Sequence, residues 1–218
     1  MSLARPVSPV LPVDEVFAHA LRGEPTYVVT AGVDPARLPV DDWTRTADAA
    51  DRVLVGLCRG ATLDIGCGPG RLTAELTARG HVALGIDLVH ESVHQTIRRG
   101  GAALRRDVFG PVPGEGRWRT ALLADGNIGI GGDPGALLLR IRRLLARGGR
   151  VVVEVAPPGI ATQRVTARLA CACSVSAPFP WAVVGVDDVP RLAAGAGLVE
   201  ADRVRAAGRW AVVLRSPR

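Results

Sequence analysis

The feature that most constrains the fold is an alternation of apolar runs and helical segments that begins at residue 61. The apolar runs cover residues 61–65, 82–87, 102–107, 120–125 and 150–155. Segments with helical spacing follow the first, second and fourth runs, whereas no clear helix follows the third. Strands that alternate with helices favour a parallel sheet covered by helices on both faces. The sequence therefore predicts an α/β fold with three layers.

Local signals outside the runs predict single elements. Residues 13–23 have the apolar spacing of a helix that ends at Gly23, and residues 46–58 predict a second helix. Residues 133–149 predict a helix with Asp133 as its N-cap and the pair Gly148–Gly149 as its end.

The remaining segments break the alternation. Residues 198–215 predict two antiparallel strands joined by a tight Ala-Ala-Gly-Arg turn. Residues 33–43 are interpreted as a connection broken by prolines, and residues 161–185 as a loose hairpin or a lid.

The absence of lysine limits the chemistry that this chain can perform. All 27 basic residues are arginine, and the formal net charge is +6. A lysine Schiff base and a lysine-containing phosphate loop are therefore excluded. Because this bias accompanies abundant Ala, Gly and Val, we interpret it as a result of GC-rich coding and do not infer a nucleic-acid partner from it.

The cysteines, the lengths of the apolar runs and the N-terminal residues together predict the cellular compartment. The four cysteines, Cys58, Cys67, Cys171 and Cys173, lack the spacing of a metal site, so we expect free thiols and no bound metal. No run approaches the roughly 20 apolar residues of a membrane span. Three prolines interrupt residues 1–13. We therefore predict a cytoplasmic protein without a signal peptide and without membrane contact.

Each apolar run carries an acidic residue at or near its carboxyl end. Ligands of open α/β sheets bind at the carboxyl ends of the strands. A row of carboxylates there repels a pyrophosphate and suits a ligand with cationic groups and a ribose, which favours S-adenosylmethionine over NAD. The five acids are Asp64, Asp87, Asp107, Asp125 and Glu154.

The glycine-rich stretch "TLDIGCGPGRL" at residues 62–72 agrees with that preference. A dinucleotide fingerprint, G-x-G-x-x-G/A, would place its third small residue at position 71, which is arginine. The spacing is instead G-x-G-x-G, formed by Gly66, Gly68 and Gly70. Glycines at these positions let the backbone turn sharply and approach a ligand closely.

These motifs resemble those of class I S-adenosylmethionine-dependent methyltransferases. The resemblance covers roughly residues 46–218 and rests on "LDIGCGPGRL", "GIDL", "RRDVF", "LLADGNIGIGGDP" and "LLARGGRVVVEV". It implies a Rossmann-like α/β/α fold whose mostly parallel, seven-stranded sheet has the order 3-2-1-4-5-7-6, with the last strand antiparallel. It also implies S-adenosyl-L-methionine as the cofactor.

The resemblance assigns the methionine end of the cofactor to the glycine-rich stretch. Asp64 and the loop would meet the methionine portion, and Asp125 would line the end from which the methyl group leaves. The loop residues are Gly66, Cys67, Gly68 and Gly70.

The nucleoside end falls on the next two strands. By resemblance, Asp87 would bind the ribose hydroxyls and Leu88 would flank the adenine. Asp107 would reach the adenine amino group, and Val108 would pack on the ring.

Missing motifs narrow the methyl acceptor. The stretch after the fourth run reads "ADGNIGIGGDP", which is not the N/D-P-P-Y/F/W pattern of base and amide methylation, and neither a Lys-Asp-Lys-Glu set nor a Pro-Cys pair occurs. By elimination we predict a small-molecule substrate, in bacterial specialised metabolism. Two alternatives stay open: a structured-RNA methyltransferase using a basic stripe of Arg140, Arg143 and Arg147, and a non-methylating protein that binds the cofactor.

Candidates for catalysis and substrate binding are few. Asp125 and His19 could accept a proton, although a histidine at the position of His19 is more often an exposed helix residue. Asn127 is a candidate for orienting the substrate. Tyr27 and Trp181 could line its pocket or pack in the core.

The resemblance also predicts the domain organisation. Residues 1–45 would form an N-terminal tail with a lid or helix, and residues 46–218 the methyltransferase domain. Residues 161–185 would be a substrate-lid insertion in that domain. The sequence does not predict an oligomeric state.

Overall fold

The computed structural model describes residues 9–216 and contains two sheets and seven α-helices in that range. The strands are β1 (Val10–Leu11), β2 (Tyr27–Thr30), β3 (Val33–Arg37), β4 (Thr62–Ile65), β5 (Ala83–Asp87), β6 (Ala103–Arg105), β7 (Trp118–Leu123), β8 (Leu145–Val155), β9 (Gln163–Ala170), β10 (Val175–Ser176), β11 (Phe179–Val183), β12 (Val199–Ala206) and β13 (Arg209–Arg215). The helices are α1 (Val13–Leu21), α2 (Val40–Thr44), α3 (Ala49–Gly56), α4 (Arg71–Ala78), α5 (His90–Arg98), α6 (Pro134–Leu144) and α7 (Val189–Gly195). Two 3₁₀ segments cover Asn127–Gly132 and Val186–Asp188.

The main sheet has seven strands in the order β6-β5-β4-β7-β8-β13-β12. Numbered along the chain within this sheet, the order is 3-2-1-4-5-7-6, as predicted. The strands from β4 to β8 run parallel, whereas β13 is antiparallel to both β8 and β12. The predicted Rossmann-like α/β fold with an antiparallel last strand is therefore confirmed.

Alternating side chains of the main sheet build a core on each face. On β8, Val151 and Val153 pack with α6 and α7, whereas Val152 packs on the other face with α3 and α4. This alternation follows from the two-residue period of a strand. Both faces are apolar because helices cover both, which places the functional groups at the ends of the strands.

A second sheet joins the N-terminal segment to the stretch after β8. Its order is β1-β10-β9-β2-β3, and β11 also pairs with β9. Helix α1 packs on it through Val16 and Ala20, which contact Leu169 of β9. The interpretation of residues 33–43 as a connection is wrong, because they contain β3 and α2. The domain division at residue 46 and the lid role of residues 161–185 stay predictions.

Helix α6 is shorter than the predicted helix 133–149. Asp133 caps it as predicted, accepting a hydrogen bond from the Ala136 amide. The helix nevertheless ends at Leu144, and β8 begins at Leu145 by pairing with Trp118. The next pair in the register is Thr120 with Arg150, so the two glycines lie in an irregular stretch of the strand.

The C-terminal hairpin confirms the predicted turn. Ala206 pairs with Arg209, and the two residues between them, Ala207 and Gly208, have φ values of 48° and 84°. Two residues with positive φ are typical of a hairpin turn that matches the twist of the strands. This turn places Arg209 at the start of β13.

No helix between residues 9 and 216 combines the length and the apolar character that crossing a membrane requires. The cytoplasmic location stays a prediction.

Candidate functional site

The glycine loop lies between β4 and α4, at the carboxyl edge of the main sheet. Gly66, Gly68 and Gly70 have φ values of 70°, 53° and 87°, which L side chains rarely adopt. A Cβ at Gly70 would lie 2.5 Å from Thr96 Oγ1, whereas a Cβ at Gly68 would have no protein atom within 4 Å. Gly70 therefore serves packing against α5, and Gly68 presents its backbone to open space.

The Cys67 side chain points away from that open space. It is buried beneath the loop with Val93 and Ala103, and its Sγ lies 3.7 Å from Thr96 Oγ1. Only the main chain of Cys67 therefore belongs to the surface of the loop. The role of Cys67 in cofactor binding stays a prediction.

Asp64 is a buried carboxylic acid directly before the loop. It is 2% exposed, and Thr73 Oγ1 donates a hydrogen bond of 2.6 Å to Oδ2. Burial raises the pKa of Asp64 to about 7, against the hydrogen bond from Thr73, which acts to lower it. No salt bridge to Asp64 occurs among residues 9–216, so a bound cation would meet a carboxylate without an arginine partner.

Asp87 connects the glycine loop to the end of β5. Its carboxylate accepts hydrogen bonds from the amides of Gly68, at 2.9 Å, and Val89, at 2.8 Å. Burial raises the pKa of Asp87, and these backbone hydrogen bonds oppose the shift. Each carboxylate oxygen can accept a second hydrogen bond, so the group keeps the capacity to bind two hydroxyls.

Two apolar side chains remain exposed beside these acids. Leu88, next to Asp87, is 50% exposed, and Phe109 is 42% exposed. Asp107 accepts a hydrogen bond of 2.9 Å from the Phe109 amide. Val108 lies in the main core, so its packing on adenine stays a prediction. Phe109, whose ring lies against Gly131, was missed although it belongs to the quoted "RRDVF" motif.

Asp125 belongs to a network of ion pairs. Its carboxylate lies 2.6 Å from Arg71 Nη2 and 3.2 Å from Arg209 Nη2. Arg209 also contacts both oxygens of Glu154, each at 2.7 Å. Both arginines reach Asp51 as well, which is fully buried. Desolvation raises the pKa of Asp125, and the two arginines oppose that shift.

The expectation of a continuous acidic rim is therefore wrong in part. Asp125 and Glu154 are compensated by arginines, whereas no salt bridge among residues 9–216 involves Asp64, Asp87 or Asp107. The rim thus divides into an uncompensated half at β4, β5 and β6 and a paired half at β7 and β8. Sequence reasoning missed Arg71 and Arg209 because it counted acids without their tertiary partners.

Asn127 holds the glycine loop from the adjacent 3₁₀ segment. Its Nδ2 donates to the carbonyls of Ile65, at 2.9 Å, and Gly66, at 2.8 Å. A Cβ at Gly66 would lie 2.7 Å from this nitrogen, so the contact needs glycine there. The structure gives Asn127 a positioning role, and its contact with substrate stays a prediction.

We expect Asn127→Ala to lower the free energy of unfolding by about 1–2 kcal/mol, because two partly buried carbonyls lose their donor. Asn127→Asp should cost more, since it places carboxylate oxygens against those carbonyls. Urea unfolding of both variants measures the losses. Stability equal to wild type in Asn127→Asp would show that the two hydrogen bonds do not hold the loop.

The structure separates the two aromatic candidates. Trp181 of β11 packs on the 3₁₀ segment that contains Asn127, where a Cβ at Gly129 would lie 2.8 Å from its Nε1. Tyr27 pairs with Ala170 rather than Leu169, so it lies on the face of the second sheet opposite α1. Their roles in substrate binding stay predictions, and only Trp181 is beside the carboxyl edge.

His19 and Asp125 have different partners. The His19 ring lies beside the second sheet, with Nδ1 3.7 Å from Cys173 Sγ, whereas Asp125 contacts the arginines described above. Burial acts to raise the pKa of Cys171, but hydrogen bonds with Ser174, Cys173 and His19 outweigh it and lower the pKa to about 6. The catalytic roles of His19 and of Asp125 stay predictions.

The basic stripe considered for RNA binding does not form. The Arg140 guanidinium donates to the carbonyls of Val108 and Gly110 and pairs with Glu115. Helix α6 ends at Leu144, so Arg147 lies on β8 and does not continue the helical spacing. The helical interpretation of these arginines is wrong because the helix is shorter than predicted.

No protein-family model matches the sequence, and neither does any curated protein. Solved structures are similar. A SAM-dependent methyltransferase from Bacteroides fragilis, in complex with S-adenosyl-L-homocysteine, has a TM-score of 0.80 and 18% identity, covering 96% of this chain and 99% of that chain. The 1,6-didemethyltoxoflavin-N1-methyltransferase of Burkholderia thailandensis has a TM-score of 0.58 and 22% identity, covering 82% of each chain. Magnesium protoporphyrin IX methyltransferase from Synechocystis PCC 6803, with bound SAM, has a TM-score of 0.55 and 15% identity, covering 77% and 78%.

Proposed function

We propose that this chain, which has the fold of class I S-adenosylmethionine-dependent methyltransferases, binds S-adenosyl-L-methionine and transfers its methyl group to a small molecule. The observation that carries the proposal is the convergence of Asp64, Gly68 and Asp87 at the carboxyl edge of the parallel strands. The carboxylates at the ends of β4, β5 and β6 have no arginine partner among residues 9–216, so this half of the carboxyl edge suits a cationic nucleoside.

The residues present fit the cofactor. Asp64 and the loop backbone at Gly68 would hold its ammonium end, and Asp87 would accept hydrogen bonds from the ribose hydroxyls. Asp107, Leu88 and Phe109 would surround the adenine. When bound, the cofactor supplies a methyl group activated by a positively charged sulfur.

We propose that positioning, rather than a strong base, supplies the catalysis. Desolvation raises the pKa of Asp125, but its carboxylate is engaged by two arginines at 2.6 Å and 3.2 Å, so taking up a proton would weaken two ion pairs. Alignment of acceptor and methyl group can supply much of the rate of a direct displacement. This arrangement suits an acceptor whose nucleophile is reactive without deprotonation by the enzyme.

The second sheet supports a small acceptor. Pro180 and Trp181 of β11 pack on Gly132 and Gly129 of the 3₁₀ segment, so this sheet covers part of the carboxyl edge. Similar folds act on 1,6-didemethyltoxoflavin and on magnesium protoporphyrin IX, as their names state. These names support a small-molecule acceptor, and we propose that it belongs to bacterial specialised metabolism.

Calorimetric titration with the cofactor and with S-adenosyl-L-homocysteine tests the binding site. We expect Asp87→Asn to weaken binding by about 1–3 kcal/mol, or about 5- to 150-fold, because hydrogen bonds to the ribose are lost. Asp41 is an exposed acid of α2, and the control variant Asp41→Asn should bind the cofactor with the affinity of the wild type. Equal affinity in wild type and Asp87→Asn would refute the assignment of Asp87.

Transfer of a labelled methyl group identifies the acceptor class. The enzyme is incubated with labelled cofactor and with separate small-molecule and RNA fractions of a host extract. We expect label in the small-molecule fraction. Label in RNA alone would favour an RNA methyltransferase, and tight binding without transfer to either fraction would favour the non-methylating alternative.

A further inference from the structure

Three side chains of metal-binding type meet outside the glycine loop and its acids. His19 of α1 and Cys171 and Cys173 of the turn after β9 bring one ring nitrogen and two sulfurs within 4.8 Å of one another. The two sulfurs are 3.1 Å apart, and Cys173 Sγ lies 3.7 Å from His19 Nδ1. The function proposed above requires none of these groups.

We propose that His19, Cys171 and Cys173 form a binding site for zinc or a similar soft divalent cation. Thiolates and imidazoles are the ligands that zinc prefers, and three of them leave a fourth position for water. Neither the spacing of the cysteines nor any histidine near them in sequence indicates this site, because His19 lies on a different element.

The observed spacing is close to that of a zinc site. With bond lengths of about 2.3 Å to sulfur and about 2.05 Å to nitrogen, a tetrahedral ion holds two sulfurs about 3.8 Å apart and sulfur and nitrogen about 3.6 Å apart. The sulfur–nitrogen distance of 3.7 Å agrees. The sulfur–sulfur distance must open by about 0.7 Å to meet this geometry, and rotation of the exposed Cys173 side chain can supply that change.

A disulfide explains the cluster less well. The two sulfurs are 3.1 Å apart, well beyond the bond length of about 2.05 Å, and a disulfide would give His19 no role. Cys171 packs against the apolar residues between α1 and the second sheet, whereas Cys173 is exposed. An ion could thus enter from solvent and reach a ligand that is held in place.

The site would fasten α1 to the second sheet. One ligand lies on α1, and the other two lie on the turn between β9 and β10. Two strands of this sheet, β1 and β10, have only two residues each, so few backbone hydrogen bonds hold that end. Binding free energy at such a site adds to folding free energy.

Zinc and cobalt titrations of the full chain test the proposal. The reduced, metal-free protein is titrated with zinc against a coloured chelator, and with cobalt while thiolate-to-cobalt charge-transfer absorption is followed. We expect one ion per chain. We expect Cys171→Ser and Cys173→Ser each to weaken zinc binding by about 100-fold and to lower the absorption band, and we expect the double variant to remove the band. His19→Ala should weaken binding while keeping the band.

Matched controls use the other thiols and imidazoles of the chain. Cys58→Ala and His94→Ala should bind zinc as wild type does. Unchanged zinc affinity in Cys173→Ser would overturn the proposal, and so would a fully reduced wild-type protein that binds no zinc. A Cys171–Cys173 disulfide that persists under mild reduction would also overturn it. None of these outcomes depends on cofactor binding or methyl transfer.

Discussion

Asp51→Asn is expected to lower the free energy of unfolding by about 3–5 kcal/mol, which is the usual cost of leaving a buried charge uncompensated. Asp51 is fully buried and pairs with Arg45, Arg71 and Arg209. The Arg71 side chain is only 3% exposed, so it cannot turn to solvent when its partner is neutral. Urea unfolding at pH 7 measures the loss.

The pH dependence of this loss has a definite sign. Burial acts to raise the pKa of Asp51, but hydrogen bonds from Arg71, the Asp48 amide, Arg209 and Arg45 outweigh it and hold the pKa well below its ordinary value. The contribution of Asp51 is therefore present above about pH 4 and is lost as the pH falls further. The difference in the free energy of unfolding between wild type and Asp51→Asn should therefore become smaller below that pH.

Asp41→Asn provides the matched control, because this exposed acid of α2 has no ion-pair partner among residues 9–216. It should change the free energy of unfolding by no more than about 0.5 kcal/mol. If Asp51→Asn is as stable as this control at pH 7, the network does not stabilise the fold.

The main sheet was predictable because its signals are local. The apolar runs, the Asp133 cap and the Ala-Ala-Gly-Arg turn each depend on neighbouring residues, and all three appear in the structure as predicted. The end of α6 was not predictable in this way. Leu145 leaves the helix because it pairs with Trp118, a contact that no local pattern reports.

Most of the second sheet was missed for the same reason, although the antiparallel pairing of β9 with β11 agrees with the hairpin interpretation of residues 161–185. Its strand β1 has two residues and pairs with β10, so that Val10 lies opposite Val175. Strand β3 contains Pro35 and lies at the edge of its sheet, where a missing amide donor is tolerated. Short strands and an edge proline give weak signals in a single sequence, and only long-range pairing reveals them.

At the candidate site, the positions of the acidic residues at the carboxyl edge were predictable from the sequence, whereas their ion-pair partners were not. Asp64 and Asp87 were found because their spacing to the glycines follows the chain. Arg209 is 55 residues from Glu154 and 158 residues from Asp51, so its compensation of these acids arises only on folding. The electrostatic argument for a cationic ligand therefore applies to the half of the edge at β4, β5 and β6.

Asp64→Asn is expected to stabilise the protein without cofactor at pH 8. The pKa of Asp64 in the folded state is about 7, above its ordinary value, so the unfolded chain releases this proton first as pH rises. Stability is lost between about pH 4 and pH 7, by up to about 4 kcal/mol, and changes little above that range. Asp64→Asn lacks this loss. The difference between its free energy of unfolding and that of the wild type should therefore be larger at pH 8 than at pH 5.

Thr73→Val gives an independent test of the raised pKa of Asp64. Thr73 donates to Asp64 at 2.6 Å, so removing its hydroxyl should move the loss of stability to higher pH. Urea unfolding at several pH values follows both variants, and carbon NMR of the Asp64 carboxyl follows its titration in the wild type and in Thr73→Val. A difference between wild type and Asp64→Asn that does not vary between pH 5 and pH 8 would show that Asp64 is ionised throughout. The carboxylate would then already be charged at neutral pH, so a cationic ligand would meet it without the free-energy cost of removing its proton, and the raised pKa of Asp64 would be refuted.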